Sequence, residues 1–284
     1  MGISNYRKST GVDSYLKQKN LAQDAKIEGV VILFDIVNSS GLKECKQFPN
    51  WIEDYTRFID LITKPFADLG IVWHKFLGDA FMFFIPTRPD KKIHKDLKHM
   101  SFIETYNLCK LVLTNYWSEY KTYSEIAGRG HCKHDNFREI TCAIDYGKDI
   151  FNWYQLLDDQ SEDFDPIGKT VDRCFRYSSI AGASQLLVSE YFYEELKKEN
   201  KSSSIDESFI KVSLKNGTLK GFDNVHKVYY SVPDQDIIDY YTNDDNVKLI
   251  EHSKAMDVKV KLKLLRLKNQ KNSSNTMYED TKND

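Results

Sequence analysis

A short apolar run near the start of the chain, ending on a carboxylate, limits the possible folds most strongly. Residues 30–34 read VVILF, Asp35 follows directly, and a polar Asn-Ser-Ser turn occupies 38–40. Consecutive apolar residues are typical of a strand covered on both faces, because a half-exposed strand alternates polar with apolar positions. The pattern predicts a buried strand over 27–36 that carries a carboxylate at its end.

The segments that follow alternate helical and extended patterns. Apolar spacing of three and four predicts a helix over 50–68, and two strands over 71–75 and 80–85 are joined by the turn FLGDAF. The later elements are predicted at 101–125 (helix), 140–146 (strand, closed by Gly147), 170–181 (helix), 186–189 (strand), 190–199 (helix), 210–214 and 227–231 (strands). This alternation predicts an α/β sandwich built on one mixed sheet.

Composition excludes several classes of function. The 284 residues carry 40 basic and 42 acidic side chains, so no global field favours nucleic acid or an anionic membrane. Five cysteines without a CxxC spacing indicate reduced thiols. No apolar run approaches the ~18 residues that cross a bilayer, and the first ten residues lack the apolar stretch of a signal peptide. We expect a cytoplasmic protein with no membrane span and no nucleic-acid partner.

Changes in composition predict how the chain is divided. Residues 1–26 are polar and are expected to form an N-terminal arm. One folded domain is expected over 27–232, with a helical insertion at 87–137. Residues 233–284 are charged, and we expect them to form a C-terminal tail that is partly disordered.

Asp35 and Asp79 are the first candidates for chemistry. Asp35 ends one predicted strand, and Asp79 lies in the turn of the following hairpin. A strand–helix–hairpin unit places the first strand beside the hairpin, so the two carboxylates can meet at one edge of the sheet. Hard oxygen ligands in that arrangement suit Mg²⁺ or Mn²⁺ with substrate phosphates. Taken separately, each residue fits a structural interpretation, Asp35 as a strand-end cap and Asp79 as an ordinary turn residue.

Four segments, in order, resemble a known family. They are VVILFDIVNSS, HKFLGDAFMFF, ITCAIDYG and DPIGKTVDRCFR with the following GASQLLVSEYF. They are similar to the motif blocks of class III nucleotidyl cyclase catalytic domains, and the resemblance covers roughly 27–232. It implies a palm-like βαββαβ domain that works as a head-to-tail homodimer with composite active sites. It also implies two divalent metal ions (Mn²⁺ or Mg²⁺) and cyclisation of a nucleoside triphosphate with release of pyrophosphate.

The resemblance assigns roles to individual residues. Asp35 and Asp79 would be the metal carboxylates, and Ile36 would add its backbone carbonyl. Arg176 would stabilise charge at the α-phosphate from the other subunit. Lys220 matches the late lysine that reaches toward the triphosphate.

One position departs from the family pattern. Asp172 stands where an asparagine usually orients the ribose, four residues before Arg176. A carboxylate accepts hydrogen bonds but cannot donate them, and it adds negative charge near a triphosphate. Three consequences are open: Arg173 or Lys169 neutralises it, the ribose is held differently, or activity is weak.

The base of the substrate is open to two interpretations. Lys75 and Asp165 occupy the positions that select adenine in adenylate cyclases, which indicates ATP. The stand-alone architecture and the FDIVNSS segment are similar to the pyrimidine cyclases of Pycsar antiphage systems, which make cyclic UMP or cyclic CMP for a separate effector protein. The leading expectation is UTP or CTP as substrate. The alternatives are a soluble adenylate cyclase and an inactive cyclase-homology module that binds nucleotide or only dimerises.

Overall fold

The computed structural model describes the chain in several segments. The described residues are 26–37, 39, 50–71, 73–87, 97–127, 139–153, 164–200, 209–214, 218–223, 225 and 227–231. Apart from Lys26, the expected N-terminal arm lies outside them, as does the whole expected C-terminal tail. Two parts of the expected insertion, 88–96 and 128–137, also lie outside them.

Within the described residues, eight strands form one sheet. They are β1 (Lys26–Ile36), β2 (His74–Phe76), β3 (Ala80–Pro86), β4 (Ile140–Asn152), β5 (Pro166–Gly168), β6 (Leu186–Ser189), β7 (Ile210–Ser213) and β8 (Lys227–Ser231). The strand order is β2-β3-β1-β4-β6-β8-β7, and β5 also pairs with β4. Because β4 and β6 are parallel while β1 is antiparallel to β3 and β4, the sheet is mixed, as the sequence predicts.

Four helices cover the two faces of this sheet in the described part of the chain. They are α1 (Asn50–Asp68), α2 (Phe102–Ala127), α3 (Lys169–Ser178) and α4 (Glu190–Glu199). The apolar faces of α1, α2 and α4 fill one core layer, whereas α3 packs on the opposite face. The apolar stripe of α2 therefore belongs to the core. None of the described helices combines the length and the hydropathy that crossing a membrane requires.

Strand β1 is an interior strand of the sheet, paired with β3 on one side and with β4 on the other. The side chains of 30–34 are at most 2% exposed. They point alternately into the two core layers, as the period of a strand requires. In the ladders, Asp35 lies opposite Ala80 of β3 and Thr141 of β4. The end of β1 is thus fixed in register on both sides.

Strand β2 is shorter than the predicted 71–75 and begins at His74. The backbone N–H of Ile71 donates to the Phe66 carbonyl (2.9 Å), after a turn in which Gly70 has φ 77°. Residue 71 is therefore still engaged in closing α1, since its N–H pairs with the last helical turn instead of with a neighbouring strand. Only His74–Phe76 pair with β3.

Strand β4 continues past Gly147, where the sequence predicted its end. Gly147 lies opposite Gly29, and after a register shift in which β4 has one residue more than β1 the pairing resumes with Ile150 opposite Ile27. A Cβ atom at Gly147 would lie 1.9 Å from Oγ1 of Thr170. The glycine leaves room for the Thr170 side chain of α3 against β4, and it does not end the strand.

Replacing Gly147 with alanine tests this close approach. We expect Gly147→Ala to lower the free energy of unfolding by about 1–3 kcal/mol, because the new methyl group forces α3 away from β4. Urea denaturation followed by circular dichroism measures the change. Lys148→Ala, at the exposed neighbouring position, is the control and should change it by less than ~0.5 kcal/mol. Equal stabilities for the two variants would contradict the interpretation.

Candidate functional site

The end of β1 and the turn between β2 and β3 lie side by side. Side chains alternate between the two faces of a strand, so Asp35 lies on the same face as Val31 and Leu33, which is the face that α3 covers. The Asp35 side chain is half-buried. The Ile36 N–H donates to the Asp79 carbonyl at 3.0 Å. The hydroxyl of Ser39, which is 5% exposed, donates to Oδ2 of Asp79. The structure therefore places Asp79, in the turn before β3, next to the end of β1 that carries Asp35 and Ile36.

The chemistry of this donor set fits a divalent cation. Asp35 and Asp79 supply carboxylate oxygens, and Ile36 supplies a backbone carbonyl at the same strand end. Within the described residues, no group of three or more His, Cys, Asp and Glu side chains forms a closed cage. Mg²⁺ is typically held by one or two carboxylates together with water and substrate phosphates. An open set of two carboxylates matches that requirement.

Lys75 and Asp165 form a second pair on the same face. The Nζ of Lys75 donates to both carboxylate oxygens of Asp165, at 2.8 and 3.0 Å. Lys75 lies opposite Met82, whose side chain belongs to the core layer under α3. The two side chains are 43% and 26% exposed, so a ligand can reach them. The structure brings together the two residues that the sequence assigned to base selection.

Hydrogen bonds to the backbone of residues 164 and 165 hold this segment in place. The Asp165 N–H donates to Oδ1 of Asn152 (3.0 Å), and the Trp153 N–H donates to the Asp165 carbonyl (2.9 Å). The indole N–H of Trp73 donates to the Phe164 carbonyl (3.0 Å), and the Phe164 ring contacts Trp73. Sequence reasoning missed these supports, because the hydrogen-bonded side chains are 13 and 91 residues away along the chain.

Helix α3 presents Asp172 and Arg176 on its exposed face. They are one turn apart, and Phe175 between them is 39% exposed. Thr170, Val171 and Cys174 face the sheet and are buried. Residues four apart on a helix are neighbours on its surface. The two side chains are therefore available to a ligand or a second chain on the same side of α3.

Arg173 does not neutralise Asp172, which was one of the consequences expected from the sequence. It points into the protein, where its Nε and Nη2 donate to the two oxygens of Asp145 at 2.6 and 3.0 Å. Asp145 is fully buried, and burial raises the pKa of its carboxyl above the ordinary value, while the Arg173 charge offsets part of that shift. Sequence reasoning missed this pair, because Asp145 and Arg173 lie 28 residues apart. Lys169 is exposed at the first position of α3.

Lys220 lies in a turn on the α3 side of the sheet. The Phe222 N–H closes the turn on the Leu219 carbonyl (3.0 Å), and both side chains pack in the core layer under α3. The Lys220 side chain is exposed. All the residues that the sequence singled out thus lie on one side of the sheet or at its rim.

Comparison with solved structures identifies the fold. The adenylyl cyclase CyaB from P. aeruginosa superposes with a TM-score of 0.53 at 16% identity, covering 73% of this chain and 94% of that one. The guanylyl cyclase Cya2 superposes with a TM-score of 0.53 at 11% identity, covering 72% and 92%. Neither the protein-family models nor the curated proteins contain a match to the sequence. The chain therefore has the fold of class III cyclase catalytic domains.

The exposure of the Lys75–Asp165 pair predicts a small contribution to stability. In a double-mutant cycle with Lys75→Ala and Asp165→Ala, we expect a coupling free energy of unfolding below about 1 kcal/mol, since solvent screens a half-exposed pair. Urea denaturation of the four proteins measures it. Asp165→Asn is the matched variant that keeps the side-chain shape. A coupling of several kcal/mol would contradict this and indicate that the pair serves the fold.

Proposed function

We propose that the protein is a nucleotidyl cyclase that converts a nucleoside triphosphate into a 3′,5′-cyclic nucleotide and pyrophosphate. The observation that carries the proposal is the convergence of Asp35 and Asp79 at the end of β1, beside a Lys75–Asp165 pair on the same face. The cyclase fold supports the same reaction, although a fold can host many activities.

In the proposed reaction the 3′-oxygen of the ribose attacks the α-phosphorus of the same nucleotide. A bond forms between these atoms, the bond from the α-phosphorus to the bridging oxygen breaks, and pyrophosphate leaves with the electron pair. The hydroxyl proton passes to solvent. Two Mg²⁺ or Mn²⁺ ions, bound by Asp35, Asp79 and the Ile36 carbonyl, would lower the pKa of the attacking hydroxyl and offset the phosphate charge. Ser39 would keep the Asp79 carboxylate in place through its hydrogen bond.

The remaining groups act on the phosphates and the ribose. Arg176, from the second copy in a homodimer, would stabilise the charge that develops at the α-phosphate. Asp172 on the same helix face would accept a hydrogen bond from a ribose hydroxyl. Lys220, an exposed cation on the α3 side of the sheet, would contact the triphosphate. Each active site would then be built from two chains, with this face of α3 in one copy placed against the end of β1 in the other.

Lys75 and Asp165 would read the base. Together they offer an ammonium donor beside a carboxylate acceptor. Cytosine presents a ring nitrogen that accepts and an amino group that donates, so CTP fits both contacts directly. Uracil presents a carbonyl acceptor beside an N–H donor and fits with the two contacts exchanged. We propose a pyrimidine triphosphate as substrate and a cyclic pyrimidine nucleotide as second messenger in antiphage defence, sensed by a separate effector.

ATP is the second candidate, and the assembled Lys75–Asp165 pair is the observation that favours it. Adenine presents the same pattern of a ring-nitrogen acceptor beside an amino donor as cytosine does. The pair alone therefore does not separate ATP from CTP. The resemblance of the FDIVNSS segment to pyrimidine cyclases is the feature that favours a one-ring base.

The first experiment determines the substrate. We incubate the purified chain with Mn²⁺ and equal amounts of ATP, GTP, CTP and UTP, and identify cyclic products by mass spectrometry. We expect cyclic CMP or cyclic UMP, and we expect Asp35→Ala and Asp79→Asn to abolish product while the fold remains intact. Asp60→Ala, an exposed carboxylate on α1, is the control and should retain activity. Cyclic AMP as the main product would select the second candidate, and no product from any triphosphate would refute the cyclase proposal.

The composite site predicts complementation between two inactive variants. Asp35→Ala removes a metal carboxylate, and Arg176→Ala should lower kcat about 10²–10³-fold by removing charge stabilisation. Mixed in equal amounts and allowed to exchange subunits, they should recover about a quarter of the parental activity, because half of the random dimers contain one complete site. Steady-state rates on the preferred triphosphate measure this. A mixture as inactive as its components would contradict a site shared between subunits.

A further inference from the structure

The Arg173 side chain joins three elements of the fold at one buried point. Besides its two bonds to Asp145 on β4, Nη2 donates to the Tyr146 carbonyl (3.2 Å). The guanidinium carbon lies 4.4 Å from the centre of the Tyr191 ring on α4. Arg173 itself belongs to α3 and is 9% exposed. Because a guanidinium is planar and donates in fixed directions, these contacts define its orientation.

Asp145 is held just as firmly from the other side. Its Oδ1 accepts the Tyr146 N–H (2.8 Å), and the Ser189 hydroxyl hydrogen-bonds to the same carboxylate. Ser189 also caps α4, since its hydroxyl oxygen accepts the Phe192 N–H (3.1 Å). The carboxylate thus cannot rotate without breaking contacts on β4 and at the start of α4. Arg173 docks onto a fixed acceptor.

Stability alone does not account for such a pair. Removing two charges from water is costly, and apolar residues of similar volume often replace a buried ion pair without loss of stability. Apolar contacts, unlike hydrogen bonds, do not fix the relative orientation of the two groups that meet. The other buried side chains of α3, such as Val171 and Tyr177, contact the core through apolar surface that tolerates small shifts. Two other side chains of α3 make directional contacts: the Thr170 hydroxyl donates to Oδ1 of Asp149, and the Cys174 thiol contacts the Val31 carbonyl. The Arg173–Asp145 pair differs from them because it is charged and bidentate, so it restricts the rotation of the helix most strongly.

The position of Arg173 links this pair to the proposed active site. It directly follows Asp172 and precedes Arg176 by three residues on a ten-residue helix. Each residue of an α-helix advances about 1.5 Å and turns about 100°. A small rotation or slide of α3 therefore moves both exposed side chains together. Displacement of a catalytic group by about 1 Å can cost a hundredfold in rate.

We infer that Arg173 is a positioning residue: paired with Asp145, it fixes the rotation of α3 and thereby the placement of Asp172 and Arg176 for the reaction. The inference rests on the proposed function, in which these two side chains contact the nucleotide. Base and metal recognition by Lys75 and Asp79 do not involve α3. Loss of the pair should therefore reduce turnover more than it reduces the affinity for nucleotide.

The test compares three variants in the full chain. Arg173→Lys keeps the charge but loses the two guanidinium N–H donors that contact Asp145. Arg173→Met removes the charge. Arg173→Met combined with Asp145→Asn removes both charges, while the amide oxygen of the asparagine can still accept the Tyr146 N–H. For each folded variant we expect kcat to fall about ten- to a hundredfold, least in Arg173→Lys, with KM changed less than about twofold. Should Arg173→Met not fold, the double variant decides, because it buries no unpaired charge.

Arg57→Met is the matched control. Arg57 pairs with Glu119 between α1 and α2, on the other face of the sheet, and both side chains are 43% exposed. The same substitution there should leave kcat unchanged. Parental kcat in the folded double variant would overturn the inference. So would a kcat loss that merely equals the loss of folded protein.

A second readout separates this inference from the proposed function. Hydrogen–deuterium exchange without nucleotide should show faster exchange of the α3 amides, residues 169–178, in the double variant than in the parent, with β1 unchanged. If the parent produces no cyclic nucleotide, the proposed function fails, and the exchange result still decides whether the pair holds α3. Identical exchange of α3 in the parent and the double variant would refute the holding role.

Discussion

The burial of β1 on both faces is the constraint on which the rest of the structure depends. Helices pack against both sides of this strand, so the run 30–34 is apolar, and Asp35 follows at the end of the strand where this burial decreases. Antiparallel pairing with β3 sets Asp35 opposite Ala80, and Asp79 is therefore the adjacent residue of the turn. A register slip by one residue would turn Asp35 toward the other core layer. The proposed metal site is thus a consequence of the ladder that builds the core.

Two ion pairs of the same chemical type have opposite environments and suit opposite tasks. Lys75 and Asp165 are partly exposed, and a pair in that setting contributes about 0–1 kcal/mol, so a nucleotide base could exchange for it at little cost. Asp145 and Arg173 are buried, and removing one partner from such a pair typically costs about 3–5 kcal/mol. The first pair can rearrange around a ligand, while the second can serve as a fixed reference for α3.

The sequence predicted those parts of the structure whose signals are local. Periodicity located β1, α1 and the β2–β3 hairpin, and strand ends placed Asp35 beside Asp79. It misplaced the end of β4, because glycine is a common turn residue and only the contact with α3 explains Gly147. The short strand β5 was not predicted either, since three residues carry no periodicity. The hydrogen bonds that hold the Asp165 segment were also missed, because their partners are distant in the chain and become neighbours only in the folded state.

The burial of Arg173 changes the interpretation of Asp172. Since the adjacent arginine is committed to Asp145, it does not offset the charge of the exposed Asp172. Arg176 lies one turn away on the same exposed face, close enough for a helical ion pair of about 0.3–0.5 kcal/mol. A pair that weak does not hold either side chain in place. In the proposed reaction Arg176 would therefore be available to the triphosphate, and the Asp172 carboxylate would be available to accept a ribose hydroxyl.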